Sequence, residues 1–184
     1  MRTALVLGGA SCLWDDVQGY VGPVDGVVAC NDAGYAWPGA LDAWVSLHGD
    51  HLRDRWVPER RRRGFPPARR TICQNQSAPN NARGLEQTAH EFFPHQGGGS
   101  SGLFAAKVAL IDLGFDRVVL CGVPLTRTPH FHNATPWPAV EGFKPAWLNL
   151  PEATRSRMRS MSGWTRHLLG APDELRAFEV RDAG

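Results

Sequence analysis

Short, unbroken apolar runs recur along this chain, and each ends on glycine or a small polar residue. Thr3–Leu7 leads into Gly8-Gly9-Ala10-Ser11, Gly26–Cys30 into Asn31-Asp32, residues 43–47 into His48-Gly49-Asp50, and Arg117–Cys121 into Gly122. Runs this short that do not alternate with polar residues read as strands covered on both faces. Segments with helical character lie between them, at 13–17, 51–63 and 101–113, with Pro58 marking a start or a kink in the second. The third is the best defined, because Leu103, Val108, Ala109 and Leu113 share one face and Gly114 stops it. Weaker signals predict a helical turn at 37–41, a strand at Thr71–Cys73, a helix at 151–158, a strand at 158–161 and a helix at Gly163–Leu169 begun by Ser162. The alternation predicts an α/β, Rossmann-like, doubly wound and mostly parallel sheet with helices on both faces. A chain of 184 residues suits one domain, 1–184, and the proline- and aromatic-rich stretch 126–150 reads as an irregular C-terminal lid.

Ligands of such sheets bind at the carboxyl ends of the strands. Glycine and polar residues gather at those ends, at 8–11, 31–32, 48–50, 74–76 and 122–125. The run Gly97-Gly98-Gly99-Ser100-Ser101-Gly102 enters a helix start, where unpaired N–H groups and the helix dipole welcome an anion. Gly8, Gly9 and Ser11 repeat the theme after the first strand. Together they predict a site for a phosphorylated ligand, a nucleotide, contacted by Gly8, Gly9, Ser11, Ser100, Ser101 and Gly102. No Gly-Lys-Ser/Thr follows, so this is not a Walker A loop, and the dinucleotide fingerprint G-x-G-x-x-G is absent too.

Composition narrows the classes. A formal net charge of +2 makes no global case for nucleic acid. Eight arginines nevertheless fall between Arg53 and Arg70, against Asp54 and Glu59. They read as a solvated face, with a clamp for phosphates or an acidic partner as the functional alternative. Cys12, Cys30, Cys73 and Cys121 form no C-x-x-C pair and read as reduced, mostly core thiols, without a zinc site. The apolar start at 4–7 is too short for a secretory leader, and no run approaches the ~20 apolar residues of a membrane span. A cytoplasmic protein without membrane partners is expected.

Several side chains are placed for chemistry. Asn31 suits a base or ribose, and Asp32 a ribose hydroxyl or a metal-bound water; the plainer reading of the pair is an Asx turn. His48 and Asp50 read as a base with its orienting carboxylate, or as a weak Mg²⁺ pair. His130 and His132 fall on one face if the chain is extended there. With no third ligand in sequence reach, they read as a general base rather than a metal pair. Trp137 and Trp147 suit core packing, or stacking on a base or sugar.

The run from Ser100-Ser101-Gly102 through Ala109-Leu110-Ile111-Asp112-Leu113-Gly114-Phe115 to Val118-Val119-Leu120-Cys121-Gly122 resembles a segment of the bacterial CMP-sialic-acid-dependent sialyltransferases of the Campylobacter type. It is also similar to the 6-hydroxymethylpterin pyrophosphokinase-like proteins of that superfamily. The resemblance implies that Gly8, Gly9 and Ser11 form the family's first glycine turn. It implies further that Asn31 contacts the nucleotide and that Ser100, Ser101 and Gly102 open the nucleotide-binding helix. It spans roughly residues 3–125. Ala10 and Cys12 depart from the family's Gly-Pro-Ser-Leu, and Val123-Pro124 replaces the acidic residue after the late glycine. The sialyltransferases place a catalytic histidine in a longer C-terminal lid, for which the resemblance offers His130 and His132 as stand-ins without a residue-by-residue match.

These readings converge on a transferase that moves a group from a nucleotide-activated donor, CMP-type or ATP with Mg²⁺, to a small acceptor, with His130, His132 or His48 as catalytic base. A non-catalytic nucleotide-binding module of phage or mobile-element type is the alternative, as is an ATP-dependent pyrophosphokinase-like enzyme. A chain this short calls for a small acceptor or for a homo-oligomer. Binding of nucleic acid through the arginine run is a third class, recognised by strong salt dependence.

Overall fold

A computed structural model describes residues 1–74, 83–88 and 100–174. Gly97, Gly98 and Gly99, residues 75–76 and most of the polar loop 74–83 lie outside the described residues.

Among the described residues, seven strands form one parallel sheet: β1 (Thr3–Leu7), β2 (Gly26–Cys30), β3 (Ala43–Ser46), β4 (Thr71–Cys73), β5 (Glu86–Gln87), β6 (Arg117–Cys121) and, last of these, Met158–Ser160. Between β6 and that last strand, β7 (Pro129–His130) and β8 (Asn133–Pro136) make a separate antiparallel hairpin, so Met158–Ser160 is β9. The order across the sheet is β5-β4-β3-β2-β1-β6-β9. Leu5 of β1 stands between Val27 of β2 and Val119 of β6. The order turns back on itself between β1 and β6, and that switch point opens a crevice beyond the strand ends.

The two faces follow the period of two along each strand. Ala4, Val6, Val28, Val45, Val118 and Leu120 face the helix 101–112 together with Val140, Trp147 and Leu169. Leu5, Leu7, Val27, Ala29, Trp44, Val119 and Cys121 face Leu13, Ala33, Leu41 and Leu52. The Rossmann-like α/β expectation therefore holds, and its strand bounds are nearly those expected from the apolar runs.

The differences have local causes. The helical turn expected at 37–41 forms instead at Ala33–Ala36, because Pro38 drives Trp37 into extended backbone (ψ 119°) and ends the helix there. The helix expected at 51–63 spans 49–62 and runs through Pro58. Proline cannot donate to the carbonyl four residues back. The turn before it, Leu52–Trp56, widens to π-type winding in which the Val57 N–H reaches Leu52 O. The helix expected at 151–158 shrinks to Glu152–Arg155, since Met158 is already committed to β9.

The arginine run is largely neutralised from within. Arg53 pairs with Asp54, Arg62 and Arg63 with Glu59, Arg69 with Asp42 and Arg70 with Glu86. Arg60 is 2% exposed and donates to the carbonyls of Gly34, Trp37, Gly39 and Pro66. No described helix is long and apolar enough to cross a membrane.

Candidate functional site

A cleft of about 290 Å³ lies over the carboxyl ends of β1, β2, β3 and β6. Gly8 and Gly9 follow β1 into it, Cys30 and Asn31 come from β2, Leu47 and His48 from β3, and residues 122–126 from β6. Ser100, Ser101 and Gly102 enter from the start of the helix, and Trp137 and Phe143 close the lid side. The two aromatic rings stack on each other with centroids 5.0 Å apart. Trp147, by contrast, is fully buried in the core, as its packing reading expects.

The floor is a braced network. Asn31 adopts φ 50°, a left-handed conformation that asparagine tolerates. Its side-chain Nδ2 donates to Ser101 Oγ (3.0 Å), and its Oδ1 accepts from the buried Ser46 hydroxyl (2.8 Å). Ser46 Oγ also accepts from the His48 N–H (2.8 Å), and Trp44 Nε1 donates to Asn31 O (2.6 Å). The ends of β2 and β3 and the helix start are thereby tied together. Ser100 is spent on structure: its Oγ caps the helix at Leu103 N and accepts from Trp147 Nε1, each at 3.3 Å. The N–H groups of Ser101 and Gly102 sit in the first turn, where no intrahelical acceptor exists.

The first glycine turn is held for a different reason from the one its sequence suggests. The N–H groups of Gly8, Ala10 and Ser11 donate to the carbonyls of Cys121, Gly122 and Pro129. They are committed to the fold rather than turned to a ligand. Ser11 is exposed and outside the cleft lining. Gly8 is glycine because a Cβ there would lie 2.4 Å from Gly122 O. At Gly9 a Cβ would lie 2.7 Å from His130 Nδ1 and 2.9 Å from Asp32 Oδ1. The missing side chain leaves room for an aspartate–histidine cluster.

That cluster forms at the rim of the cleft. Ser11 N–H to Pro129 O (2.9 Å) and Phe131 N–H to Gly9 O (3.0 Å) suture the β7–β8 hairpin to the loop after β1. The suture carries His130 and His132 over the carboxyl end of β2, where Asp32 waits. His132 Nε2 lies 2.8 Å and His130 Nδ1 3.6 Å from Asp32 Oδ2. The Asp32 side chain is only 9% exposed, and its Oδ1 has no hydrogen-bond partner among the described residues. The carboxylate raises the pKa of His130 above its ordinary value, against the opposing effect of partial burial.

Of the residues singled out in the sequence, the structure brings Gly8, Gly9, Asn31, Ser100, Ser101, Gly102, His48 and His130 to one cleft, with Asp32 and His132 at its edge. It separates His48 from its expected carboxylate: Asp50 lies 4.0 Å from His51 Nε2 instead. The third member of the histidine cluster, Asp32, was out of sequence reach because the lid brings it together with residues about a hundred positions away. Asp16 also escaped notice. It is buried, accepts from Gly122 N–H and Ser162 Oγ (each 2.8 Å), and fixes the turn that leads into the cleft wall. Cys30 lines the cleft, but burial pushes its thiol up to about 12, which removes it as a nucleophile at neutral pH.

No protein-family model matches the sequence, and no curated protein matches it either. Solved structures do match in fold. Sialyltransferase CstII in complex with a trisaccharide acceptor and CMP superimposes with a TM-score of 0.64 at 11% identity, over 94% of this chain and 87% of that one. CstII from Campylobacter jejuni in complex with the substrate analogue cytidine-5'-monophosphate gives 0.57 at 14% identity, over 93% and 85%. The monofunctional α-2,3-sialyltransferase Cst-I from the same organism gives 0.58 at 11% identity, over 93% and 80%. The chain has the sialyltransferase-like fold.

Proposed function

We propose that this protein is a nucleotide-dependent transferase whose cleft binds a nucleotide-activated donor of the CMP type and passes the activated group to a small acceptor. The observation that carries the reading is the braced cleft itself. It sits at the topological switch point, with the helix start at Ser101-Gly102 on its floor and an aspartate-backed imidazole at its rim. Solved structures with this fold include sialyltransferases in complex with CMP, which favours a cytidine nucleotide over other bases.

In this reading the donor phosphate lies against the N–H groups of Ser101 and Gly102, where the helix dipole favours an anion. Asn31, locked by Ser46 and Ser101, presents its remaining side-chain N–H to the nucleoside. The Asp32 carboxylate, 3.6 Å from His130 Nδ1, favours the ring proton on that nitrogen by charge, which leaves Nε2 as the basic nitrogen. Nε2 takes the proton of the acceptor hydroxyl as the acceptor oxygen bonds to the transferred carbon. The bond from that carbon to the phosphate oxygen breaks, and its electron pair leaves with the phosphate. Trp137 and Phe143 keep bulk water off the reacting centre.

A thermal-stability screen with CMP, CTP, CMP-sugars, UDP-sugars, ATP and GTP, with and without Mg²⁺, tests this. A ligand at about 100 times its dissociation constant stabilises by about 2.7 kcal/mol, a shift easily measured. A shift confined to cytidine nucleotides is the expected result. A Mg²⁺-dependent shift with ATP alone would replace the donor class, and no shift with any nucleotide would overturn the reading.

A further inference from the structure

Asp32, His130 and His132 place one carboxylate oxygen and two imidazole nitrogens within 4.8 Å of one another. We propose that these three side chains bind a divalent transition-metal ion of the zinc class, with its remaining coordination position open toward the cleft. The inference stands on the cluster's geometry and does not depend on what the cleft binds.

The spacing is close to that of a metal site. Ligand atoms bonded at about 2.0–2.1 Å to a tetrahedral metal stand roughly 3.3 Å apart. Asp32 Oδ2 lies 2.8 Å from His132 Nε2 and 3.6 Å from His130 Nδ1, on either side of that value. The two imidazole nitrogens also lie within 4.8 Å of each other, so rotation of the exposed His132 ring can close all three onto one ion.

Unspent bonding capacity points the same way. Buried polar atoms are nearly always satisfied, yet Asp32 Oδ1 and His130 Nδ1 are both buried without a hydrogen-bond partner among the described residues. Both lie against Gly9, within 2.9 Å of where a Cβ would stand, so only a glycine lets them come together there. An ion bound to His130 Nδ1 gives that nitrogen its partner, and a carboxylate that grips the ion through both oxygens engages Oδ1 as well as Oδ2.

The donor set decides the class of metal. Two neutral imidazoles and one carboxylate suit zinc, cobalt, nickel or iron(II), whereas Mg²⁺ and Ca²⁺ want oxygen ligands and, for Mg²⁺, retained waters. Three protein ligands with an open position are the arrangement of sites where the metal meets water or a ligand. The side chains of His130 and His132 are 37% and 44% exposed, which gives the ion a path in. The ligands are also preset, since main-chain bonds from the Gly9 carbonyl and the Ser11 N–H fix the hairpin that carries both histidines.

Loading has a consequence at His130. With Nδ1 on the metal, the ring proton resides on Nε2, so the loaded protein no longer offers a free imidazole base. Metal occupancy and proton abstraction by His130 are alternatives.

The test is titration of the purified, chelator-stripped full chain with Zn²⁺ by calorimetry, and with Co²⁺ by visible absorption. One equivalent of each is expected, with the Co²⁺ form showing the intense visible bands of a four- or five-coordinate site, and with no Mg²⁺ binding at the same concentration. His132→Ala, at a half-exposed turn position, should weaken Zn²⁺ binding by at least about a hundredfold, as should Asp32→Asn. His167→Ala, on the exposed face of a distant helix, should leave it unchanged. Absence of a stoichiometric site would overturn the proposal, as would Zn²⁺ affinity unaltered in a folded His132→Ala protein. Nucleotide binding, followed separately by thermal shift, fails or survives independently of either result.

Discussion

Asp16 and Asp32 are both buried carboxylates, and the fold uses them differently. Asp32 keeps an oxygen without a partner and faces two imidazoles at the surface of the cleft. Asp16 is turned to structure: its Oδ2 accepts from the Gly122 N–H and the Ser162 hydroxyl, and so pins a left-handed turn (φ 70°) at the end of β6. Burial raises its pKa above the usual carboxylate value, ahead of the opposing hydrogen bonds from Gly122 and Ser162. Replacing it with alanine strands the Gly122 N–H, at a cost of about 1–3 kcal/mol, seen as a lower urea midpoint with an unchanged slope. The pH dependence has a definite sign. Folded Asp16 holds its proton more tightly than the unfolded chain does, so the wild type gains stability as pH falls from neutrality toward about 4, a gain the variant lacks. The wild-type advantage should therefore widen on acidification; an advantage that narrows would mean that folding makes this carboxyl a stronger acid. Neither aspartate's partners were legible in the sequence. Asn31 and Ser101 were, because each stands at the end of a run whose period marks it as a strand end or a helix start. Asp32 needs a hairpin about a hundred residues later to become half of a cluster, and no local pattern encodes that.

At the level of elements, the arginine-rich helix shows how charge can mislead. In sequence, Arg60, Arg61, Arg62 and Arg63 form one basic block. In the structure Arg60 points inward and its guanidinium satisfies four backbone carbonyls, from Gly34 within the short Ala33–Ala36 helix, from Trp37 and Gly39 after it, and from Pro66. These carbonyls belong to a four-residue helix too short to satisfy its own last carbonyls and to the irregular chain beyond it, so a forked cation is the partner that can reach all of them. Its lowered pKa, caused by burial, reflects the absence of a facing carboxylate. Arg60→Ala should cost about 3 kcal/mol, the upper range for stranding a buried polar group. Arg60→Lys should recover only part of that, since an ammonium lacks the planar fork. The neighbouring exposed Arg61→Ala should fall within about 0.5 kcal/mol of wild type. Equal losses at the two positions, measured by chemical denaturation, would refute the internal role. Helix and strand bounds were largely legible here because they rest on local chemistry such as Ser100 as cap and Gly114 as stop. What was not legible was the direction of a long side chain on a short amphipathic helix, which depends on what packs against it.

The molecule as a whole is built in two tiers of stability. The sheet is the firm tier: β1, β2, β3 and β6 are buried along nearly their whole length and are covered by packed cores on both faces. The β7–β8 hairpin is the loose tier. Strand β8 is exposed at every residue, and the hairpin joins the body through main-chain bonds to the loop at Gly9 and Ser11 and through the bridge between Ala10 and His130. The sheet was legible, since continuous apolar runs announce it; the proline- and aromatic-rich stretch 126–150 announces irregular chain, but not that Val140 and Trp147 within it join the core. The suture between lid and first turn was not legible, because it is made of backbone groups that any sequence carries. Local opening requires little buried apolar surface to be exposed where contacts are sparse. Amides of 129–137 should therefore exchange with deuterium well before those of β1 and β6 in the free protein. The cleft is walled by both tiers, with Trp137 and Phe143 from one and Gly8, Asn31 and residues 122–125 from the other. A ligand that touches both walls must slow lid opening by its own binding free energy, so saturating nucleotide should protect the 129–137 amides while leaving β1 and β6 unchanged. If the lid amides are already as slow as those of β1 without ligand, the hairpin belongs to the core. If nucleotide binds and leaves them fast, the nucleotide occupies the sheet side of the cleft alone, and His130 is not drawn over it.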